Sequence, residues 1–206
     1  TGGMFAVLIL GFRRAAFSNE AGIGSSAIAH ATVKTDEPLT QGFVAMLEPF
    51  IDTVVICTIT ALVIILTVYD PVLLNEGTIR GVELTSSAFA SVIPWFPNVL
   101  AVVVILFAYS TMISWSYYGL EGFVYFFGSK RPTKMLFNTL FCLFVVIGCT
   151  VKLDAGLNFS DSMIFAMALA NMLALYLLGP NVKRELDVYW AKIKKTRLND
   201  YKQTQG

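Results

Sequence analysis

The chain has 206 residues, 56% of them hydrophobic and 14% charged, with a net charge of +1. Soluble domains carry about 45–50% apolar and about 25% charged residues, so this composition excludes an ordinary soluble domain. A mean hydropathy of +0.67 excludes disorder, and the near-zero net charge argues against a nucleic-acid partner.

A bilayer core about 30 Å thick is crossed by roughly 20 apolar residues of helix. The chain opens on a shorter run: Thr1, Gly2 and Gly3 lead into MFAVLILGF, which stops at Arg13 and Arg14. Residues 1–16 therefore read as half of a broken helix, and residues 17–40 as a loop in which Gly22 and Gly24 bend the chain before a short helix over SSAIAHATV. Full spans are expected over 41–69, 98–127, 135–151 and 162–178. Residues 70–97 form a long loop on the opposite side, with a helix over Thr85 to Val92 and Trp95 as an interfacial anchor. Gly179 and Pro180 close the last span, and residues 183–206 read as a basic tail whose Tyr189 and Trp190 meet headgroups while its lysines meet anionic lipid.

Orientation follows from the basic residues. Arg13, Arg14 and Lys34, then Lys130, Arg131 and Lys134, then the seven Lys and Arg of the tail all fall on one side if the four spans alternate. Only Arg80 and Lys152 fall on the other. The basic side is the cytoplasm. The expectation is a multi-pass protein of the plasma (inner) membrane with its C-terminal tail cytoplasmic.

Polar groups inside spans are costly and so are candidates for function. Glu48 and Asp52 share a helical face, with Thr53, Cys57 and Thr60 on an adjacent one; a carboxylate pair there suits a proton or cation, or equally a structural role accepting N–H groups at the membrane edge. The second full span turns from plain hydrocarbon to hydroxyls at its middle, where Ser110, Thr111 and Ser114 lie one turn apart. Such oxygens can coordinate a desolvated alkali cation, or simply bond back to their own helix. Gly2 and Gly3 at the ragged start of a half-length helix suggest either a helix interrupted near the bilayer midplane, with exposed backbone groups, or a Gly-Gly packing contact. His30, the single histidine, reads as a surface or packing residue because no metal ligand is spaced near it. Cys57, Cys142 and Cys149 form no C-x-x-C pair and read as packing residues. No enzyme signature is present, so no catalytic residue and no cofactor are expected.

The stretch GFRRAAFSNEAGIGSSAIAHA (Gly11 to Ala31) resembles the alanine/glycine:cation symporter family. So do Pro38, Gln41 and Gly42, then Asp52, Thr53, Cys57, Thr58, Thr60 and Ala61, then LFAYSTMISWSYYGLEG (Leu106 to Gly122). Leu120 stands where many members carry an acidic residue, and MALANMLAL lacks a Pro often found before its Asn. The resemblance covers nearly the whole chain but only the back half of the family's length. It implies an all-α integral membrane protein with part of a leucine-transporter-type inverted-repeat fold, four full transmembrane helices plus one half helix. It further implies sodium-coupled symport of alanine or glycine, with sodium as the coupling ion and the lipid bilayer as surroundings. By that analogy Ser110, Thr111 and Ser114 bind the cation, and Gly2, Gly3 and Phe5 contact the amino acid. Arg13, Arg14, Asn19, Glu20 and Asp52 serve gating and coupling. A proton-coupled transporter, a pore and a non-transporting membrane scaffold are the competing readings.

Overall fold

The computed structural model describes residues 3–68 and 81–204, and of residues 153–154 and 197–204 the backbone alone. Every regular element among the described residues is helical. In order, these are α1 (Gly3–Asn19), α2 (Ser25–His30), α3 (Pro38–Pro49), a π-helical segment (Phe50–Ile56), α4 (Cys57–Val68), α5 (Val82–Ala90), α6 (Phe96–Phe127), α7 (Arg131–Gly148) and α8 (Leu153–Thr204). Four stretches are long and apolar enough to cross a membrane: Pro38–Val68, Phe96–Phe127, Arg131–Gly148 and Ala155–Thr196. They contain most or all of each of the four expected spans.

The surface is that of a membrane protein. Among the described residues Ile23, Ala88 and Ile164 are the buried hydrophobics, while Leu66 and Leu177 are about four-fifths exposed, at 80% and 79%. Water-facing proteins rarely expose contiguous apolar surface on this scale, whereas lipid accepts it.

Helix boundaries follow local chemistry. Pro97 and Pro132 occupy the first turns of α6 and α7, where a missing N–H costs nothing because that turn has no intrahelical acceptor. Gly128, at φ 84°, stops α6 in a conformation that other residues rarely adopt. Pro49 ends α3: it cannot donate to Ala45, and the chain continues as seven residues of wider π-helix before α4 resumes.

Three differences from the sequence expectations stand out. α1 continues three residues past the expected break, to Asn19. The last span does not stop at Gly179–Pro180. α8 runs unbroken for 52 residues, about 78 Å at 1.5 Å per residue. Pro180 removes one N–H, the one that would reach Tyr176, and the Lys-, Arg- and Glu-rich sequence beyond it favours helix strongly enough to continue. Tyr189 and Trp190 consequently pack on Phe43 of α3, with ring centroids 5.9 Å and 6.4 Å away. In the long loop, the helix begins at Val82 rather than Thr85; residues 69–80, with Arg80, lie outside the described ones.

Backbone proximity groups the helices into two units: α1, α2, α3 and α8 in one, the π segment with α4 to α7 in the other. In the first, α8 is the common partner of α1 and α3, and α2 packs on α3. In the second, α5 bridges α4 and α6, and α6 packs on α7. The α6–α7 approach depends on Gly119, where a Cβ would come within 2.7 Å of Phe137 Cζ. Small residues let membrane helices come this close. Gly119→Leu in the complete protein is expected to cost about 1–3 kcal/mol of stability, read as a lower thermal midpoint in detergent, and Phe137→Ala in that background should recover part of it. A midpoint equal to that of the unaltered protein would show that this approach does not hold the pair.

Candidate functional site

Ser110, Thr111 and Ser114 lie on one side of α6 near its middle. Ser110 Oγ donates to the Phe107 carbonyl at 3.0 Å, and Ser114 Oγ to the Ser110 carbonyl at 3.1 Å. Both hydroxyl protons are thus directed into the helix, and the oxygen lone pairs are left to accept. That is the polarity a cation needs, without a full charge that would hold it too tightly. α6 closes its own backbone ladder through this stretch, so further oxygen ligands would come from another element. Among the described residues no group of three His, Cys, Asp or Glu side chains could hold a metal ion.

Gly3 and Phe5 lie in the first turn of α1. Nothing stands within 4 Å of where a Gly3 side chain would begin, and Phe5 is exposed. Gly2 lies outside the described residues. These positions belong to the unit of α1, α2, α3 and α8, whereas Ser110, Thr111 and Ser114 belong to the other.

Farther along α1, Arg13 is exposed, whereas Arg14 Nη2 donates to Asp161 Oδ2 of α8 at 3.1 Å. The carboxylate side chain is 6% exposed and the guanidinium side chain 43%. Charge counting places Arg14 on the cytoplasmic side and the start of the last span on the other. The structure instead brings Arg14 beside the start of that span, where a half-exposed guanidinium neutralises a buried carboxylate.

The segment after α1 docks on α8 through its backbone. Asn19 is buried, and its Oδ1 accepts the Ala21 N–H at 3.0 Å. Glu20 has φ 54°, a conformation uncommon outside glycine, and Gly22 and Gly24 follow at 82° and 98°. Asn171 Nδ2 donates to the Gly22 carbonyl at 2.9 Å. A side chain at Gly24 would begin 3.2 Å from Asn171 Oδ1, so this position needs glycine for its φ and for the close approach. Ile23, between the two glycines, is one of the buried hydrophobics.

Asp52 falls in the π segment, where its Oδ2 accepts the Thr53 hydroxyl at 3.5 Å. Residues five apart share a face in such a segment, which aligns Asp52 with Cys57. Glu48 meets an imidazole: its Oε2 is 3.2 Å from His30 Nε2, while Gln41 Nε2 is 2.7 Å from His30 Nδ1. His30 is thus a bridge between α2 and α3.

Asp161 and Asn171, which make these contacts, were not among the candidate residues read from the sequence. They were detectable: 161, 164, 168 and 171 recur at helical spacing on one stripe of α8, with two strongly polar residues among apolar ones. Asp161 and Ile164 of that stripe are both buried.

The sequence model of the sodium:alanine symporter family matches residues 1–203, nearly the whole chain. The chain belongs to this family. Its relatives include the sodium/alanine symporter AgcS of Methanococcus maripaludis, 37% identical over 88% of this chain and 40% of that protein. The amino-acid carrier protein AlsT of Bacillus subtilis is 33% identical over 96% of this chain and 41% of its own. The probable sodium/glutamine symporter GlnT of the same organism is 31% identical over 91% and 38%. The chain thus spans about two fifths of the length of the curated relatives it matches. No solved structure matches it.

For this family member the Arg14–Asp161 pair makes an asymmetric prediction. Losing the arginine strands a buried carboxylate, whereas losing the carboxylate frees a half-exposed arginine that can turn to solvent or headgroups. In the complete protein Arg14→Gln should therefore cost more stability than Asp161→Asn, with about 1–3 kcal/mol for the former, measured as thermal midpoints in detergent. The reverse order would show that the carboxylate does not depend on its partner.

Proposed function

We propose that this chain is the C-terminal part of a sodium-coupled symporter for alanine or glycine. The observation that carries the reading is the family match over residues 1–203, and the hydroxyl geometry on α6 supports it. Ser110 and Thr111, with Ser114, would supply neutral oxygens to the sodium ion. The remaining ligands and most of the amino-acid site would come from parts of the protein outside this chain. Gly2, Gly3 and Phe5 would contact the amino acid where α1 begins. The architecture would be the second half of a leucine-transporter-type inverted repeat, with α1 as the inner half of a discontinuous helix.

Coupling in this scheme needs no covalent chemistry. Sodium binds one conformational state better than the other, so occupancy of its site raises the population that binds the amino acid. Alternation of access then moves both. The Arg14–Asp161 pair and the Asn19–Glu20 turn, together with Arg13 and Asp52, are the groups whose contacts would differ between the two states. The protein would reside in the plasma membrane with the tail of α8 in the cytoplasm.

The complete protein in proteoliposomes should accumulate labelled alanine only with an inward sodium gradient. Ser110→Ala and Thr111→Ala should each raise the half-saturating sodium concentration by about tenfold, the size of one lost bond to a charged group. Uptake that is indifferent to sodium in the unaltered protein would overturn the reading. Unchanged sodium dependence in both variants would remove the ion from α6.

A further inference from the structure

Helices α3 and α8 meet where Phe43 packs on Tyr189 and Trp190, and beside that contact they leave an open groove of about 600 Å³. Its walls include Leu39 and Gly42 of α3 and Leu178, Val182, Val188 and Tyr189 of α8. The volume falls within the roughly 300–1,000 Å³ of sites that take small molecules. Gly42 opens the α3 wall, since a side chain begun there would meet nothing within 4 Å. Leu178, Val182 and Val188 are 54%, 55% and 62% exposed, so the described residues leave this apolar surface uncovered.

Polarity changes along the groove. Leu178 and Val182 lie toward one end, and the ion pair of Lys192 with Glu37 lies at the other. Glu185, between them in sequence, has Arg184 beside it, with Oε1 3.7 Å from Nη2. Both members of the end pair stand at the margins of membrane-capable stretches: Glu37 immediately precedes Pro38–Val68, and Lys192 lies four residues from the end of Ala155–Thr196. From Leu178 to Lys192, fourteen residues of α8 rise about 21 Å at 1.5 Å each. A bilayer with its headgroups is about 40–45 Å thick, so this is the depth of one leaflet. A groove one leaflet deep, apolar at one end and charged at the other, has the length and polarity of a single phospholipid.

The charged end discriminates among headgroups. The Lys192 ammonium carries donors only, and the Glu37 carboxylate acceptors only. A phosphoethanolamine group offers the converse of each: phosphate oxygens accept from Lys192, and a primary ammonium donates to Glu37. Both contacts are charge-assisted hydrogen bonds, the stronger kind. A quaternary choline has no N–H to donate. A glycerol headgroup has no positive charge and sets an anionic phosphate beside Glu37.

We propose that the groove between α3 and α8 binds one phospholipid with a phosphoethanolamine headgroup, an acyl chain lying along Gly42, Val182 and Leu178 and the headgroup between Glu37 and Lys192. The inference goes beyond sodium-coupled uptake and does not require it.

The test uses the complete protein, purified in detergent, stripped of lipid and mixed with dioleoyl phosphatidylethanolamine, phosphatidylcholine or phosphatidylglycerol. Adducts of one lipid are counted by native mass spectrometry. The ethanolamine lipid is expected to bind about tenfold more tightly than the other two, the size of one bond to a charged group. Gly42→Leu fills the groove and should lower that binding about tenfold, at an unchanged thermal midpoint. Should the midpoint fall, Glu37→Gln decides alone. It should rank the glycerol lipid first, because Lys192 is then free to take a phosphate while the ammonium has lost its carboxylate; a residue that merely held α3 against α8 would leave the headgroup preference as it was. Equal binding of the three lipids by the unaltered protein, ethanolamine-lipid binding that survives a folded Gly42→Leu, or an unchanged preference in Glu37→Gln would each overturn the proposal. A second copy of the chain, or another part of the protein, seated in the groove would show as the first or second of these results. The readout needs no transport, so failure of the symport reading shows separately, as absent sodium-driven alanine uptake.

Discussion

In hydrocarbon, a backbone N–H or C=O without a partner costs several kcal/mol, and no water is present to supply one. That constraint shapes this protein throughout. It forces the chain into helices that satisfy their own backbones, leaves their apolar side chains facing outward, and makes any interruption conspicuous. The informative places are accordingly the interruptions: the turn from Glu20 to Gly24, the Pro49 step into π-helix, and the hydroxyl-rich middle of α6. Pro180 interrupts only weakly, since the loss of a single N–H is tolerated where the following sequence favours helix.

The same cost governs the polar side chains. Within the unit of α1, α2, α3 and α8, charged and amide groups meet across helices: Arg14 with Asp161, Asn171 with the Gly22 carbonyl, His30 with Glu48 and Gln41, Glu37 with Lys192. α8 takes part in three of these contacts. Its length lets one helix anchor the SNEAGIGSS turn near its first third and α3 near its end. α2, six residues long, is held by its neighbours on both sides rather than by its own ladder.

On α6 the polar groups bond within their own helix. Ser110 and Ser114 have committed their protons to backbone carbonyls within the helix, so the helix is satisfied without them and their lone pairs are spare. This neutral, acceptor-only surface inside an apolar helix would, as the proposed sodium site, hold a cation weakly enough to release it. In the proposed symporter, ion binding and the breaking and remaking of ion pairs would fall to different helices, and coupling would be the difference in free energy between the states that those contacts favour.

Hydropathy and the spacing of prolines and glycines determined the membrane class, the four spans and the stop at Gly128, because lipid imposes one requirement that is local in sequence: enough consecutive apolar residues to cross. The hydroxyl cluster on α6 was legible for the same reason, since polar groups in such a run are conspicuous by themselves. The unbroken course of α8 past Pro180 was not, because a glycine and a proline ordinarily end a helix and only the balance of the following propensities shows otherwise. Nor were the partners. Asp161 sits 147 residues from Arg14, Asn171 149 from Gly22 and Lys192 155 from Glu37. Such pairings depend on where helices pack, which no local spacing encodes. His30, read alone as a surface or packing side chain, became a bridge only when tertiary structure set a carboxylate and an amide against its two nitrogens.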